Sequence, residues 1–497
     1  MKSQLSKGFL IILISLLIAS CSPTQVAQTL PEPSVHMGAL TSQATEAILP
    51  SPTPTITPTQ EVLETQDSKR TLYEIKLTLD FYNQYATVSQ RISYTNASMD
   101  TIDQLMLIVP PKYYQSSFRL ETISNQDDQS ITNYAWDGAR LLIPLAPALE
   151  PNADIVLNIN YVLVLPEREG TFGKVGRQIN LANWYPFIPP YKSGEGWVAH
   201  DLHVVNSFMV GEHLVYDSSD FHVWLKFTDR KENMKVAATV PGEEREGYLY
   251  YEADKARTFV FSVSDVYIIQ ELEQNDITVR SYVFPGQEAN GLKAIEIAAQ
   301  AIDFFSEIYA PYTRNLFSIV EAEFVHNMEY DGMTFISNGI IQFYDGTPKT
   351  NLAMIAPHET SHQWFFALVG NDAAMEPWLD EALATYSELL FYERYYPDFL
   401  DWWWFSRVFY YEPNGYVNSS IYFPGGHNPY RDAVYLRGAL FMQKLRDTIG
   451  DDAFFTFIKD YTQKYAYQIA TADDFFETLS THSNVDVSSI LAEYFVP

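Results

Sequence analysis

Apolar and polar residues alternate along much of the chain from Thr71 onward. Residues 73–81 place an apolar side chain at every second position, which is typical of a strand with one buried face. Similar runs occupy residues 105–109, 141–145, 155–164, 222–227 and 258–263, and turn residues separate them. No long helical period precedes about residue 290. The pattern predicts an all-β domain, most simply a β-sandwich, over residues 71–272.

After residue 277 the apolar positions follow a helical period. In residues 292–309 they recur at intervals of three and four, as one buried stripe of a helix requires. The same period occurs at residues 353–368, 381–395, 435–448 and 452–465, and short strand patterns lie at 316–325 and 332–341. We therefore predict a mainly helical second domain with a small sheet over residues 273–497. The fold class is multidomain α+β.

The chain begins with the layout of a secretory signal. Lys2 and Lys7 precede an apolar run at residues 8–19, which is shorter than the ~20 residues that span a bilayer. The run ends in Ile-Ala-Ser-Cys at residues 18–21, which resembles the lipobox of bacterial lipoproteins. That resemblance implies a signal peptide at residues 1–20 and lipidation of Cys21. An uncleaved anchor, or a plain signal with an incidental cysteine, also places the rest of the chain outside the cytoplasm.

Residues 21–70 are rich in Pro, Thr, Ser and Gln. Residues 50–58 consist mostly of proline, serine and threonine and cannot build a packed core. We interpret this stretch as a tether between a lipid anchor and the folded domains. The expected product is an extracytoplasmic, membrane-anchored bacterial lipoprotein.

Composition narrows the possible partners. The chain has 497 residues and a net charge of −30, and no basic patch stands out, which argues against nucleic-acid binding. Hydrophobic residues make up 47 %, enough for two substantial cores. The single cysteine excludes a disulfide within the chain.

A metal-binding motif lies at residues 358–362, which read His-Glu-Thr-Ser-His. Residues four apart share one face of a helix, so His358 and His362 can reach one ion. Glu359 then lies beside the metal, where it can act as the general base for water. Because Pro357 fits best in a first helical turn, we expect the helix to begin at about Ala356. A buried structural histidine pair is the alternative interpretation.

A second segment, Trp-Leu-Asp-Glu-Ala at residues 378–382, opens another helix and offers Glu381 as a third ligand. Three protein ligands leave a position open, as in catalytic zinc sites. Residues 358–364 and 378–382 together resemble the gluzincin family of alanyl- and leucyl-type zinc aminopeptidases. The resemblance runs from about residue 71 to the end of the chain. It implies a β-sandwich followed by a thermolysin-like catalytic domain, one Zn²⁺ per chain and peptide substrates.

The resemblance extends to two further segments. Met328-Glu329 matches the family segment Gly-x-Met-Glu-Asn, whose glutamate binds the free amino terminus, although His326 and Tyr330 replace its Gly and Asn. Tyr435 matches the family tyrosine that supports the oxyanion, and Tyr430 is the nearest competing choice. Long members of the family continue into a helical domain that this chain is expected to lack, which implies a more open site.

Three further residues are weaker candidates for the site. Glu388 lies seven residues after Glu381 on the same helix face and can hydrogen-bond a zinc-ligating histidine. Asp372 could do the same from the connecting loop, and His427 could line the cleft. The family also uses a Gln or Glu of the β-domain as a second amine ligand, which the sequence does not identify.

The sequence predicts a zinc metallo-aminopeptidase that removes N-terminal residues. Two alternatives remain open. One is a zinc endopeptidase, in which the altered segment around Glu329 no longer binds the amino terminus. The other is a non-catalytic lipoprotein that binds a partner through its sandwich, which the presence of Glu359 disfavours.

Overall fold

The computed structural model describes residues 69–206, 208–423 and 425–496. The predicted signal peptide, Cys21 and residues 21–68 of the predicted tether lie outside the described residues. Within the described ranges, the helices are too short or too polar to cross a membrane.

The first domain is built from β-strands. They are β1 (Leu72–Asp80), β2 (Tyr85–Thr95), β3 (Ile102–Ile108), β4 (Phe118–Asn125), β5 (Ala135–Asp137), β6 (Arg140–Leu149), β7 (Asp154–Val164), β8 (Phe172–Val175), β9 (Gln178–Leu181), β10 (Tyr191–Lys192), β11 (Gly196–Trp197), β12 (Val204–Val205), β13 (Phe208–Met209), β14 (Ser219–Phe227), β15 (Lys235–Ala238), β16 (Glu243–Arg245), β17 (Tyr248–Ala256) and β18 (Phe261–Ser264).

These strands form a sandwich, as predicted. A seven-stranded sheet in the order β16-β17-β14-β1-β2-β7-β4 shares one apolar core with a three-stranded sheet (β3-β6-β5) and a four-stranded sheet (β15-β18-β9-β8). The alternation read from the sequence explains the packing. Ile75, Leu77 and Leu79 of β1 are buried, whereas Lys76 between them is exposed.

The second domain combines a five-stranded sheet with helices. Its strands are β19 (Ile268–Gln274), β20 (Ile277–Val283), β21 (Leu316–Ala322), β22 (Met328–Tyr330) and β23 (Met333–Ser337), in the order β19-β20-β21-β23-β22. Its α-helices are α1 (Glu288–Ile308), α2 (Asn338–Gln342), α3 (Asn351–Ser361), α4 (Trp378–Tyr395), α5 (Leu400–Trp403), α6 (His427–Arg431), α7 (Arg437–Ile449), α8 (Asp451–Lys464), α9 (Ala472–His482) and α10 (Ser488–Tyr494).

The boundary between the two sets of sheets differs from the prediction. Residue 272 lies in β19, which pairs with β20 in the five-stranded sheet and not with the sandwich. The change of sheet therefore falls between Ser264 and Ile268. The sequence predicted the boundary at residue 272 because β19 continues the period-two pattern. That pattern does not indicate which sheet a strand joins.

The helix that carries the zinc motif also differs from the prediction. α3 begins at Asn351, so Pro357 lies in its interior, and the helix ends at Ser361 instead of continuing to residue 368. Pro357 removes the N–H that would bond the carbonyl of residue 353. Burial of Leu352, Ala353 and Ala356 in the main core holds the first turns despite that loss.

Candidate active site

Three side chains converge at the ends of α3 and α4. The Nε2 atoms of His358 and His362 are 3.2 Å apart, and Oε2 of Glu381 lies 3.4 Å from the first and 3.7 Å from the second. A tetrahedral zinc ion with ligands at about 2.0–2.1 Å holds its ligand atoms about 3.3–3.4 Å apart. The spacing of the three atoms therefore fits one zinc ion.

The chemistry of the three groups supports the same conclusion. Oε2 of Glu381 is buried, and it has no hydrogen-bond partner among the described residues. A buried carboxylate oxygen without a partner is costly unless a cation occupies the space in front of it. Burial opposes a charge on His358, but Glu381 and Glu388 outweigh it and raise the pKa of that imidazole to about 10. The site thus favours positive charge at the point where the ligand atoms meet.

Glu388 orients His358. Its Oε1 lies 2.8 Å from Nδ1 of the imidazole, as the sequence predicted. The same carboxylate accepts hydrogen bonds from Arg407 (2.8–3.2 Å) and from the indole of Trp403 (3.2 Å). Burial alone would raise the pKa of Glu388, but Arg407 and His358 lower it. Glu388 therefore stays ionised, which keeps the proton on Nδ1 and turns Nε2 towards the metal site.

His362 is oriented by the backbone that follows it. Its Nδ1 lies 3.0 Å from the carbonyl oxygen of Phe365, so Nδ1–H donates and Nε2 is free to bind a metal. The chain turns sharply after α3, and Phe366 adopts a positive φ of 139° within that turn. The early end of α3 thus has a function, since a helix continued to residue 368 would not place the Phe365 carbonyl beside this ring.

Asp372 does not contact either zinc-site histidine. Its Oδ2 lies 2.8 Å from Nε2 of His200, and its Oδ1 accepts the backbone N–H groups of Ala374 and Met375. Both oxygens are engaged in holding the loop between the two helices and joining it to the β-domain. The predicted contact of Asp372 with a zinc-site histidine is therefore wrong.

Glu359 lies beside the metal site, on the face of α3 that meets the sheet. Its Oε2 accepts a hydrogen bond of 3.1 Å from Thr334 on β23. Burial raises the pKa of this carboxyl to about 7, with His358 opposing the shift and Glu381 adding to it. A carboxylate poised near neutral pH can both accept and return a proton.

Tyr435 reaches the same point from the segment before α7. Its hydroxyl donates a short hydrogen bond to Oε1 of Glu381. The ring lies parallel to that of His358, with centroids 6.2 Å apart. Tyr430 is one ring further from the metal, at 5.9 Å from the ring of Tyr435. The structure therefore places Tyr435, and not Tyr430, against the zinc ligands.

Glu329 faces Glu359 across the edge of the sheet. It pairs with Thr334 in the register of β22 and β23, and paired residues of two strands project their side chains to the same face. Its carboxyl is buried, and Oε1 has no hydrogen-bond partner in the described part of the chain. Burial, with the nearby Glu212 and Glu381, raises the pKa of Glu329 well above its usual value.

The segment around Glu329 is fixed to the zinc helix by Gln363. The side chain of Gln363 donates to the carbonyl of Tyr330 (2.9 Å) and accepts from the N–H of Gly332 (2.8 Å). Gly332 has a positive φ of 73°, and an added Cβ would lie 2.1 Å from the carbonyl oxygen of Thr239. His326, which stands where the family has glycine, is exposed, whereas Tyr330 is buried against Phe335.

Sequence reasoning missed Glu212, a residue of the β-domain. An added Cβ on the preceding Gly211 would lie 2.8 Å from the hydroxyl oxygen of Tyr430, and burial, together with Glu381 and Glu359, raises the pKa of Glu212 to about 8. Glu212 lies in a loop far from the zinc motif in sequence, so no period or spacing could connect the two. His427, the predicted cleft residue, is exposed at the start of α6, the short helix that also carries Tyr430.

Comparisons with known proteins agree with this site. Residues 293–494 match the model of the peptidase family M1 domain. Aminopeptidase N of Lactobacillus helveticus is 28% identical over 218 residues, which cover 40% of this chain and 26% of that protein. Aminopeptidase M1-A of Oryza sativa subsp. japonica is 25% identical over 234 residues, 43% of this chain and 26% of that protein. The match thus spans about a quarter of the length of these curated relatives.

The fold is shared with a solved bacterial structure. The M1 zinc metallopeptidase of Deinococcus radiodurans superposes with a TM-score of 0.59 at 16% identity, covering 86% of this chain and 96% of that one. A mutant of that enzyme bound to a Tyr-Ser-Ala substrate superposes with a TM-score of 0.57. Residues 293–494 are thus similar to a peptidase family M1 domain, and together with the ligand geometry at His358, His362 and Glu381 these findings show that the metal cofactor is zinc.

Proposed function

We propose that this protein is a zinc aminopeptidase that hydrolyses the first peptide bond of substrates with a free amino terminus. The observation that carries the proposal is the position of Glu329, a buried carboxyl without a partner among the described residues, beside Glu359 at the three zinc ligands. A carboxylate at a fixed place near the metal sets how far the α-ammonium lies from the reacting carbonyl.

Different residues of the site have different roles in the proposed hydrolysis. His358, His362 and Glu381 would hold the zinc ion, which would supply Lewis acidity to the reaction when bound. Glu359 accepts the proton of the attacking water and returns it to the leaving amine, while Thr334 holds the carboxyl in place. Tyr435 can donate its hydroxyl to the carbonyl oxygen as negative charge develops there, because that hydroxyl already reaches the zinc ligand Glu381.

Glu329 fixes the register of the substrate. Its carboxylate forms charge-assisted hydrogen bonds with the α-ammonium, which are shorter and stronger than neutral ones. The sheet edge holds this carboxyl through the β22–β23 pairing, and Gln363 ties that edge to the zinc helix. Substrate binding and the reacting groups therefore share one rigid frame.

The proposal is tested by comparing one peptide with a free and with an acetylated amino terminus. The purified protein, loaded with one equivalent of zinc, should cleave the free peptide at its first bond and leave the acetylated one almost intact. Mass spectrometry of the products over time identifies the bond that breaks. Internal cleavage of both peptides at equal rates would instead assign the protein as an endopeptidase, and no cleavage of either would remove the enzymatic proposal.

We also propose that the protein is a lipoprotein held at the outer face of a bacterial membrane through Cys21. The support is the signal layout of residues 1–20, the lipobox-like sequence before Cys21 and the proline-rich tether to residue 70. Expression in a bacterial host should yield a protein that fractionates with membranes. The Cys21→Ser variant should lose the acyl mass on its N-terminal peptide, and an unmodified Cys21 in the wild type would contradict the anchor.

A further inference from the structure

One side chain links the immediate neighbours of Glu329 and of a zinc ligand. Glu329, the proposed ligand of the α-ammonium, is followed by Tyr330, and the zinc ligand His362 is followed by Gln363. The amide nitrogen of Gln363 donates to the carbonyl of Tyr330 (2.9 Å), and its oxygen accepts from the N–H of Gly332 (2.8 Å). The side chain of Gln363 is buried. It therefore connects the turn after β22 directly to the end of the zinc helix.

A second link between the sheet edge and the zinc helix is weaker. The hydroxyl oxygen of Thr334 lies 3.1 Å from the carbonyl oxygen of Met328 and 3.1 Å from Oε2 of Glu359. A hydroxyl group has one proton, which these two acceptors must share. Gln363 instead makes two separate hydrogen bonds to two backbone groups, so it is the stronger of these two links.

The opposite side of the same turn is held independently of the zinc helix. Asp331 is buried, and its Oδ2 accepts the backbone N–H of Arg257 from the β-domain (3.0 Å). Its Oδ1 accepts a short hydrogen bond from Arg314, which precedes β21. These contacts remain when the side chain of Gln363 is changed. Loss of the Gln363 amide should therefore leave the turn folded and release its distance from α3.

The distance between Glu329 and the zinc ligands determines which amines fit. One carbon separates the amine from the carbonyl in an α-amino acid, and two carbons separate them in a β-amino acid. The extra carbon displaces the amine by on the order of 1 Å. A misplacement of about 1 Å can lower a rate by about 10²-fold, provided that the site does not adjust. A firmly held Glu329 thus excludes β-amino substrates, whereas a loosely held one accommodates them.

We propose that Gln363 is a positioning residue that sets the distance between Glu329 and the zinc ligands, and that it thereby restricts the enzyme to substrates with an α-amino group. This inference rests on the proposed aminopeptidase function and adds to it the residue that selects the position of the amine. Both polar atoms of the Gln363 amide are engaged with backbone groups, so the residue acts through the turn that follows Glu329 and not by contact with substrate.

The test compares two isomeric substrates, the fluorogenic amides of alanine and of β-alanine. They have the same atoms and the same charge, and they differ in whether one or two carbons separate the amine from the carbonyl. The zinc-loaded wild-type chain should hydrolyse the alanyl amide with a kcat/KM about 10²-fold higher. A ratio near one would overturn the inference, and this outcome does not depend on any variant folding. Failure of the wild type to hydrolyse any free aminoacyl amide would instead defeat the aminopeptidase proposal, and this inference with it.

Two variants then assign the effect to Gln363. Gln363→Met keeps the length of the side chain and removes both hydrogen bonds, so the alanyl-to-β-alanyl ratio should fall by about tenfold. Gln363→Glu keeps an acceptor for Gly332 and loses the donor to Tyr330, so its ratio should lie between those of Gln363→Met and the wild type. The ratio is informative because a general loss of packing lowers the rates of both isomers equally. Elemental analysis and a melting curve check that each variant holds one equivalent of zinc and is folded.

Gln443→Met is the matched control. Gln443 of α7 also makes two side-chain hydrogen bonds, since it accepts from the hydroxyl of Tyr386 (3.0 Å) and donates to Asp447 (2.8 Å). Neither partner belongs to the turn or to the zinc ligands, so this variant should keep the wild-type ratio. A wild-type ratio in both variants of Gln363, or an equal fall in Gln363→Met and in the control, would overturn the inference.

Discussion

Glu388 holds His358 from the side of the ring that faces away from the metal, with Oε1 2.8 Å from Nδ1. The carboxylate is completely buried and is itself held by Arg407 and Trp403. The imidazole therefore cannot rotate without breaking a charged network. The order of contacts runs from Arg407 through Glu388 and His358 to the metal site.

Replacing this carboxylate should weaken zinc binding without removing a ligand. Because an amide accepts the Nδ1–H bond less strongly, Glu388→Gln should lower zinc affinity by about 10- to 100-fold. Competition with a fluorescent chelator measures the affinity. Glu393→Gln is the matched control, since Glu393 lies on the same helix but pairs with Arg446. Equal affinity in the two variants would show that Glu388 does not support the ligand, and a melting curve of each variant checks that it is folded.

Glu359→Gln should separate metal binding from chemistry. The amide has nearly the same shape but cannot accept the proton of the attacking water, so kcat should fall by about 10²- to 10⁴-fold. Zinc content should remain at one equivalent per chain, because Glu359 is not a ligand. Turnover of a free aminoacyl substrate together with elemental analysis checks both expectations. Near-normal turnover in this variant would remove Glu359 from the mechanism.

The two neighbouring tyrosines should differ in their effects. Tyr435→Phe loses the hydroxyl at the zinc ligand and should lower kcat by about 10²- to 10³-fold with little change in KM. Tyr430→Phe removes a hydroxyl that lies one ring further away and should change kcat much less. Steady-state kinetics of both variants decides between them. The reverse order of effects would mean that Tyr430 is the oxyanion donor.

Stability should depend on close packing at Gly370, where the two domains meet. Arg257 of the β-domain is buried there and donates to the carbonyls of Leu368 (3.2 Å) and Gln468. A Cβ on Gly370 would lie 2.4 Å from the guanidinium carbon. Since three carbonyls, including that of Tyr216, hold the guanidinium, Gly370→Ala should lower the free energy of unfolding by about 1–3 kcal/mol.

Thermal unfolding of the zinc-loaded protein measures this effect. Gly339→Ala is the control, because an added Cβ there meets only the hydroxyl of Ser337 at 3.8 Å and alanine favours its helix. An equal melting temperature in the two variants would show that the guanidinium of Arg257 shifts to accommodate the added Cβ without loss of stability.

The sequence predicted the zinc site because its ligands follow local rules of spacing. His358 and His362 share one helix face, and Glu381 and Glu388 lie two turns apart on the next helix. Sequence could not reveal Glu212, since only the folded structure brings its loop against Tyr430, where an added Cβ on Gly211 would lie 2.8 Å from the hydroxyl oxygen. The predicted contact of Asp372 with a zinc-site histidine was wrong for a similar reason, because its partner His200 also belongs to the β-domain. The predicted start of the zinc helix at about Ala356 was wrong, because burial of Leu352 and Ala353 outweighs the one hydrogen bond that Pro357 removes.

The role of Glu329 needs the most direct test, because His326 and Tyr330 differ from the family pattern on either side of it. The side chain of His326 is exposed, so it does not displace the carboxyl of Glu329. The side chain of Tyr330 is buried in the sheet and does not enter the cleft. Glu329→Gln should therefore raise KM for free aminoacyl substrates, since the neutral amide binds the α-ammonium less strongly.

The same variant should also lower kcat, because a substrate held less firmly presents its carbonyl less accurately to the reacting groups. An N-acetylated peptide carries no ammonium, so its slow cleavage should be unchanged between the wild type and Glu329→Gln. The ratio of kcat/KM for free and acetylated forms of one peptide measures the effect with each variant as its own control. If that ratio is the same in both proteins, Glu329 does not bind the amino terminus, and the hydrolase would select the first peptide bond by other contacts.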